Sequence, residues 1–373
     1  MLVSANQGAT LRVGILRTSS IGDVVLASAC LHVLEQLPFP VEAIWIGRSP
    51  TLDLLQQAYP ALHGLSLEQE TPIAEIIQQL NGVHFLVDLQ GNLRSRFLSR
   101  AFKKAYGKPN YLCPKSQFQR NRLILEGRMV GRRRLLSDRA LHPEKNQFQT
   151  MVQTLRTGLL RQLPAAQHKM VEALQGVPTL PFPPRPLGDT PWEQALSTGP
   201  WLAVAPGASF ATKRAPASLF IQVLADFQRK ASPIGLVFVG DSHDRLIAQE
   251  ISDALQWKGP WLNLAGELSL AQSAWVLEKS RVLLSNDSSL GHIAEACGIP
   301  VAILFGPTVE GFGFAPHLPS SRAFSVPLGC RPCSKHGKVP CRFGDHLCFT
   351  QLPAPEIATF LQEKFPSASG EQP

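Results

Sequence analysis

Short apolar runs and amphipathic stretches alternate along almost the whole chain. Leu11–Leu16 (LRVGIL) is apolar over one strand length, and so are 41–46 and 83–89. Between the first two, Val24, Val25, Ala27, Ser28, Cys30 and Leu31 give a helix with a tight, small-residue packing face. The rhythm stops in 177–200 and then resumes. Trp201–Ala205, 234–240, 261–264, 282–284 and Val301–Phe305 are again apolar runs of strand length. Helical spacing predicts helices over about 216–230, 242–255, 269–279 and 288–297, with a last one over 354–365. Strands alternating with helices predict parallel sheets built from crossover units, once before the break and once after it.

The break is a matter of composition. Pro178, Pro181, Pro183, Pro184, Pro186, Pro191 and Pro200 crowd it, and proline at that density argues against helix or central strand. The expected organisation is therefore a first α/β domain over 1–180, a linker over 181–200 and a second α/β domain over 201–350. A terminal helix and polar tail occupy 351–373. With 373 residues, 44% of them hydrophobic and 17% charged, the chain is long enough for two packed domains and is not of disordered composition. No apolar run approaches the roughly 20 residues of a membrane span. The first ten residues hold no apolar core of a secretory signal, so a cytoplasmic location is expected.

Chemistry enters at the ends of the strands. In open α/β sheets, ligands bind outside the carboxyl ends of the strands, and a helix start offers unpaired N–H groups to an anion. Three loops of this kind carry polar side chains. Leu16 runs into Ser19-Ser20-Ile21-Gly22-Asp23, where Gly22 admits close backbone approach and Asp23 offers a carboxylate as a general base. Ala205 runs into Pro206-Gly207-Ala208-Ser209, then Thr212 and Lys213, a set of small residues, hydroxyls and one ammonium suited to a diphosphate. Leu284 runs into Ser285-Asn286-Asp287-Ser288-Ser289, with His292 one turn into the following helix. Each loop taken alone is equally well an ordinary helix cap or a solvated turn. A base in one half and an anion site in the other describe group transfer from a nucleotide donor to a bound acceptor.

Charge adds a partner. The net charge is +8, yet thirteen of the Lys and Arg residues lie within 92–137, where Glu126 is the only acid. Such a block suggests an anionic partner, whether a membrane surface, a nucleic acid or a phosphorylated substrate, or simply a solvated basic face. It lacks the interleaved aromatic residues that stack on bases, which disfavours nucleic acid. Of seven cysteines, Cys330, Cys333, Cys341 and Cys348 cluster near the end; they are structural-metal ligands, free thiols or a local disulfide. No ligand set for a catalytic metal lies near the three loops. Neither half has a Gly-x-Gly-x-x-Gly after a strand, which disfavours a dehydrogenase.

Together the motifs resemble a known family. Ser19 to Val24, Asp88-Leu89-Gln90-Gly91, Ala205 to Ser209 with Thr212-Lys213-Arg214, Asn286 to His292 and Phe305-Gly306-Pro307-Thr308 resemble, in order, the lipopolysaccharide heptosyltransferases of glycosyltransferase family 9. The Cys330–Cys348 cluster is similar to one in some members, particularly those of the second heptosyltransferase type. The resemblance implies the GT-B fold: two Rossmann-like, doubly wound domains facing across a cleft, acceptor on the first, nucleotide sugar on the second, and the last helix returning to the first domain. It implies inverting transfer of a heptose from ADP-heptose to the inner core of a lipid A-linked acceptor at the inner face of the inner membrane. Asp23 would be the base and Lys213 the diphosphate lysine. Gly22, Ser209, Thr212, Asp244, Leu268, Asp287, Ser288, Ser289 and His292 would line the donor site, with Asp244 near the ribose and Leu268 near the adenine. No cofactor is essential under this reading; activation by Mg2+ on the diphosphate and a structural metal on the four cysteines stay open. The basic block, through Arg94, Arg96, Arg132, Arg133 and Arg134, would meet the anionic acceptor or the membrane. The family's Asp-Thr-Gly is Asp287-Ser288-Ser289 here: Ser288 keeps the hydroxyl of the threonine and Ser289 replaces the glycine. The alternatives are a GT-B enzyme with another donor, a GT-B nucleotide-sugar epimerase, and a non-enzymatic basic protein binding membrane or nucleic acid.

Overall fold

The computed structural model describes residues 10–114, 117–133, 135–142, 146–184, 188, 190–230 and 234–365. It divides into two compact units, one formed by Met1–Ser116 and Lys145–Pro183, the other by Gln117–Glu144 and Pro184–Pro373.

In the first unit the strands are β1 (Leu11–Leu16), β2 (Val41–Gly47), β3 (His63–Ser66), β4 (Phe85–Asp88) and β5 (Asn110–Leu112). All pair in parallel, in the order β3-β2-β1-β4-β5. In the second unit they are β6 (Trp201–Ala205), β7 (Gly235–Phe238), β8 (Trp261–Asn263), β9 (Ser280–Asn286), β10 (Val301–Phe305) and β11 (Arg322–Ser325). These too are parallel, in the order β11-β10-β9-β6-β7-β8. The central strands are buried on both faces, as parallel sheets covered by helices must be. Each sheet is doubly wound, and each therefore has one point where the winding reverses. It lies between β1 and β4 in the first unit and between β6 and β9 in the second. Leu16 lies beside Asp88, and Ala205 beside Ser285. The loops that leave these paired strand ends are the polar ones.

Three strands were not expected from the apolar pattern: β3, β5 and β11. Each is three or four residues long, lies at or next to a sheet edge, and carries exposed positions. The proline-rich stretch also differs from expectation, because it contains a helix over Pro191–Leu196. Pro191 sits in its first turn, where no N–H is needed, and Thr190 and Glu193 close a capping box.

The boundaries differ in two further ways. Residues 117–144 belong to the second unit, where Leu123, Leu136 and Ala140 share a small core with Val309 and Phe312. The last helix, Ala354–Gln362, was expected on the first unit. Its apolar face instead joins the second unit's own core: Ile357, Ala358, Phe360 and Leu361 pack with Phe220, Val223 and Leu224 of the helix Ala217–Lys230. Gln362 donates from its amide to the carbonyls of Asp226 and Phe227. Among the described residues, no helix is long and apolar enough to cross a membrane.

Candidate functional site

In the first unit, the loop after β1 is held from three sides. Asp23 lies in the first turn of the helix Ile21–Ala27. Its Oδ1 takes Arg17 Nη2 at 2.8 Å and its Oδ2 takes the hydroxyl of Ser20 at 2.8 Å. Arg17 is anchored in turn by a bond to the Leu89 carbonyl on the neighbouring loop. Gln90 clamps the loop from the same side. Its Oε1 accepts the N–H groups of Thr18 and Ser19 at 3.0 and 3.2 Å, and its Nε2 donates to the Ser19 hydroxyl. Asp88 shapes the turn that presents Gln90, accepting the N–H groups of Gln90 and Gly91 and the Ser95 hydroxyl. Gly22 is buried beneath the loop. The outcome is a carboxylate fixed in orientation and partly open to solvent, at 22% exposure against 10% for Arg17.

In the second unit, the loops after β6 and β9 are bound to each other. Asn286, fully buried, accepts the Ala215 N–H on Oδ1 and donates to the Pro206 and Gly207 carbonyls. Arg214 folds back to the Ala208 carbonyl. This places Lys213 Nζ 2.6 Å from Asp287 Oδ2, and the Thr308 hydroxyl donates to the same oxygen at 2.6 Å. Burial opposes the charge on Asp287. Lys213, the hydrogen bonds from Lys213 and Thr308, and nearby His292 outweigh it and hold the carboxyl below the usual range. Ser288 stands at the N-cap position of the helix Ser289–Ala296 without a side-chain cap bond, its hydroxyl instead 3.1 Å from that of Ser285. The first-turn N–H groups of that helix have no intrahelical acceptor, which makes its start an anion site beside the lysine. Ser289 is half-buried there, and His292 is buried with its ring against Phe314.

The remaining expected donor residues take varied places. Ser209 is exposed on the β6 loop, and Thr212 is half-buried and bonded to the Gly337 carbonyl. Asp244 opens the helix Asp244–Leu255 and lies beneath the loops, where a Cβ at Gly207 would collide with its carboxylate. Burial raises its pKa. Leu268 is half-buried in the turn after β8.

The basic block is divided between the two units. Arg94 and Arg96 belong to the helix Leu93–Tyr106, which starts directly after the Gln90 loop in the first unit. Arg94 reaches the Thr71 carbonyl and Arg96 is exposed. Arg132 lies in the second unit, where it is bonded to the carboxylate of Asp345 and stacked over the Phe343 ring at 3.9 Å. Arg134 and the side chain of Arg133 lie outside the described residues. The four clustered cysteines line one small pocket with Arg331 and Thr212 and form no disulfide. Among the described residues no three or more His, Cys, Asp or Glu are placed to hold a metal ion, so the cluster as folded does not fit a metal-ligand set. Burial pushes the Cys348 thiol up to about 12 and raises that of Cys333, while backbone hydrogen bonds outweigh burial at Cys341 and lower it.

An Arg17–Asp23 pair thus stands at one switch point and a Lys213–Asp287 pair at the other. The family model described as glycosyltransferase family 9 (heptosyltransferase) matches residues 73–341. The chain belongs to glycosyltransferase family 9. Among curated relatives, it is 34% identical over 106 residues to lipopolysaccharide heptosyltransferase 1 of Pseudomonas aeruginosa, covering 26% of this chain and 30% of that one. It is 30% identical over 119 residues to lipopolysaccharide heptosyltransferase 2 of Escherichia coli, covering 31% and 34%. These matches therefore span about a third of the relatives' length. Solved structures extend the likeness in fold. E. coli ADP-heptose lps heptosyltransferase II covers 95% of this chain and 98% of its own, at 17% identity and a TM-score of 0.62. E. coli heptosyltransferase WaaC with ADP covers 95% and 100%, at 16% and 0.59. The fold of this family 9 chain is thus the expected GT-B pair of parallel-sheet α/β domains.

Several supporting residues escaped the sequence reading: Arg17, Gln90, Asn286 and Thr308 in these roles, and Arg331. Arg17, Gln90 and Thr308 follow a buried strand within three residues and Asn286 ends one, which was the available signal.

Proposed function

We propose that this family 9 protein transfers a heptose from ADP-heptose to a hydroxyl of a lipid A-linked inner-core acceptor, with inversion at the anomeric carbon. The observation that carries the reading is the Lys213–Asp287 pair at the start of a helix on the second unit's switch point. A fixed ammonium beside free helix N–H groups suits the growing charge of a departing diphosphate. Ser209, Ser288 and Ser289 are the hydroxyls that would meet the phosphates in this reading, Thr212 being bonded to the Gly337 carbonyl, and Leu268 is an apolar wall for the adenine.

Asp23 supplies the other half. It takes the proton of the acceptor hydroxyl as that oxygen attacks the anomeric carbon, and the bond from that carbon to the diphosphate breaks. ADP leaves with the bonding pair, its charge met by Lys213. One displacement of this kind inverts the sugar. No step here is routed through Mg2+ or through the cysteines.

The acceptor side of the proposal rests on the helix Leu93–Tyr106. Leu93 and Phe97 are 73% and 52% exposed on it, among Arg94, Arg96, Arg100, Lys103 and Lys104. Exposed apolar side chains within a cationic face suit the anionic surface that holds a lipid-linked acceptor. Arg94 and Arg96, nearest the Asp23 loop in sequence order, are the acceptor contacts in this reading.

The test is product analysis. Purified protein, ADP-heptose and a heptose-free lipid A-linked acceptor should give ADP and a glycosylated acceptor of inverted anomeric configuration. Turnover with a uridine donor alone would change the sugar, and ADP release without acceptor product would overturn the transfer.

A further inference from the structure

Both halves of the Lys213–Asp287 pair rest on the segment between Cys330 and Cys348. Arg331 is fully buried, and its nearest carboxylate, that of Glu310, is 3.9 Å away. Its guanidinium is spent on backbone instead. Nε donates to the Gly306 carbonyl at 2.5 Å, Nη1 to Val326 at 2.6 Å and Nη2 to Thr308 at 2.7 Å. A desolvated cation is costly, and three carbonyls in a fixed fork are what offset the cost here. Two of those carbonyls belong to the loop Gly306–Thr308 that follows β10. Thr308 then turns its hydroxyl to Asp287 Oδ2, the oxygen that also holds Lys213.

The other end of the segment meets Lys213 itself. Gly337 has a φ of +73°, and a Cβ there would run into the methylene stem of Lys213. Its carbonyl accepts the Thr212 hydroxyl. Lys338 lies 5.2 Å over the ring of Phe210, on the same loop. The segment therefore backs the carboxylate through Arg331 and Thr308, and backs the lysine through Gly337.

We infer that Thr308, fixed by Arg331, is a positioning residue for the diphosphate lysine, and that the cysteine-rich segment is the back wall of the donor site. The inference rests on the reading of Lys213 as the diphosphate lysine. A hydroxyl on Asp287 Oδ2 shares the carboxylate with Lys213 and fixes the direction from which the ammonium is held. Without it the carboxylate turns toward the lysine alone, and Nζ moves off the diphosphate.

Calorimetric titration of ADP into the full chain, with steady-state kinetics, decides the matter. Thr308→Val keeps the shape and removes the donor; it should weaken ADP binding about tenfold, the scale of one hydrogen bond to a charged group. The donor kcat/KM should fall at least about tenfold, with kcat lowered as well as KM raised, because the displaced Nζ also meets the growing charge on the leaving diphosphate. Thr308→Ser should restore ADP affinity, which a purely structural defect would not do selectively. Gly337→Ala, placed in the lysine stem, should weaken ADP binding in the same direction. Wild-type binding with Thr308→Val within twofold of it would overturn the inference. So would a loss that Thr308→Ser fails to restore. Absence of ADP binding by the wild type would instead overturn the donor reading, and this inference with it.

Discussion

The two switch-point loops use the same device with the charges exchanged. In the first unit the anion, Asp23, is the more exposed partner and the cation, Arg17, is the buried holder. In the second unit the cation, Lys213, is the more exposed partner at 17%, and the anion, Asp287, is the holder at 13%. In both, a hydroxyl completes the holder's work: Ser20 on Asp23, Thr308 on Asp287. The lesson is that an ion pair at a sheet switch point need not be a stabilising bridge. Under the proposed function it aims the member that meets the substrate, so that one architecture presents a base in one unit and an electrophilic clamp in the other.

The comparison breaks most visibly at Asp23. Asp23→Asn keeps the shape but cannot take a proton, so turnover should fall about 10²- to 10⁴-fold, the usual worth of a general base. A fall below tenfold in steady-state assays would remove Asp23 from that role. Next in size is Lys213→Ala, which should lower kcat/KM for the donor about 10²-fold, the scale of a charge-assisted contact to the leaving group. Arg17→Met comes third. The holder is lost while the base remains, so turnover should drop about tenfold through misorientation, with donor KM unchanged. If donor KM rises instead, Arg17 is not serving Asp23.

The smallest effect is one of pH. Asp287 is held below the ordinary carboxylate range, so its unfolded form binds the proton more readily. The pair's contribution is then complete above the unfolded pKa, about 3.9, and is lost only as pH falls through the lower folded value. Donor affinity should therefore show no titration of Asp287 between pH 8 and 5. A loss of ADP affinity centred within that range and abolished by Asp287→Asn would place the holder's pKa elsewhere.

Much of this was legible in the chain. Trp201–Ala205 and Val301–Phe305 are apolar on both faces and Leu11–Leu16 is so but for Arg12, so no register or partner is needed to see them as buried strands. Asp287 stands at a strand end, and Asp23 and Lys213 lie in the loop or first helical turn that follows one, where a cluster of polar residues is conspicuous. What was hidden depends on distant partners. Gln90 acts on a loop 71 and 72 residues earlier, and Arg331 on carbonyls more than twenty residues away. The return of residues 117–144 to the second unit rests on a few apolar contacts in a stretch dominated by arginine, which reads as exposed. The cluster of charge suggested one acceptor surface, but Arg132 is committed to Asp345 and Phe343, whereas Arg96 is exposed on another unit.

The most direct measurement is a set of calorimetric titrations of ADP into wild type, Asp23→Asn and Lys213→Ala, with UDP and NAD+ as controls. The account predicts selective ADP binding that Asp23→Asn leaves intact and Lys213→Ala weakens at least tenfold. Equal loss in both variants, or a preference for UDP or NAD+, would contradict a division of labour between base and donor loops in an ADP-sugar transferase.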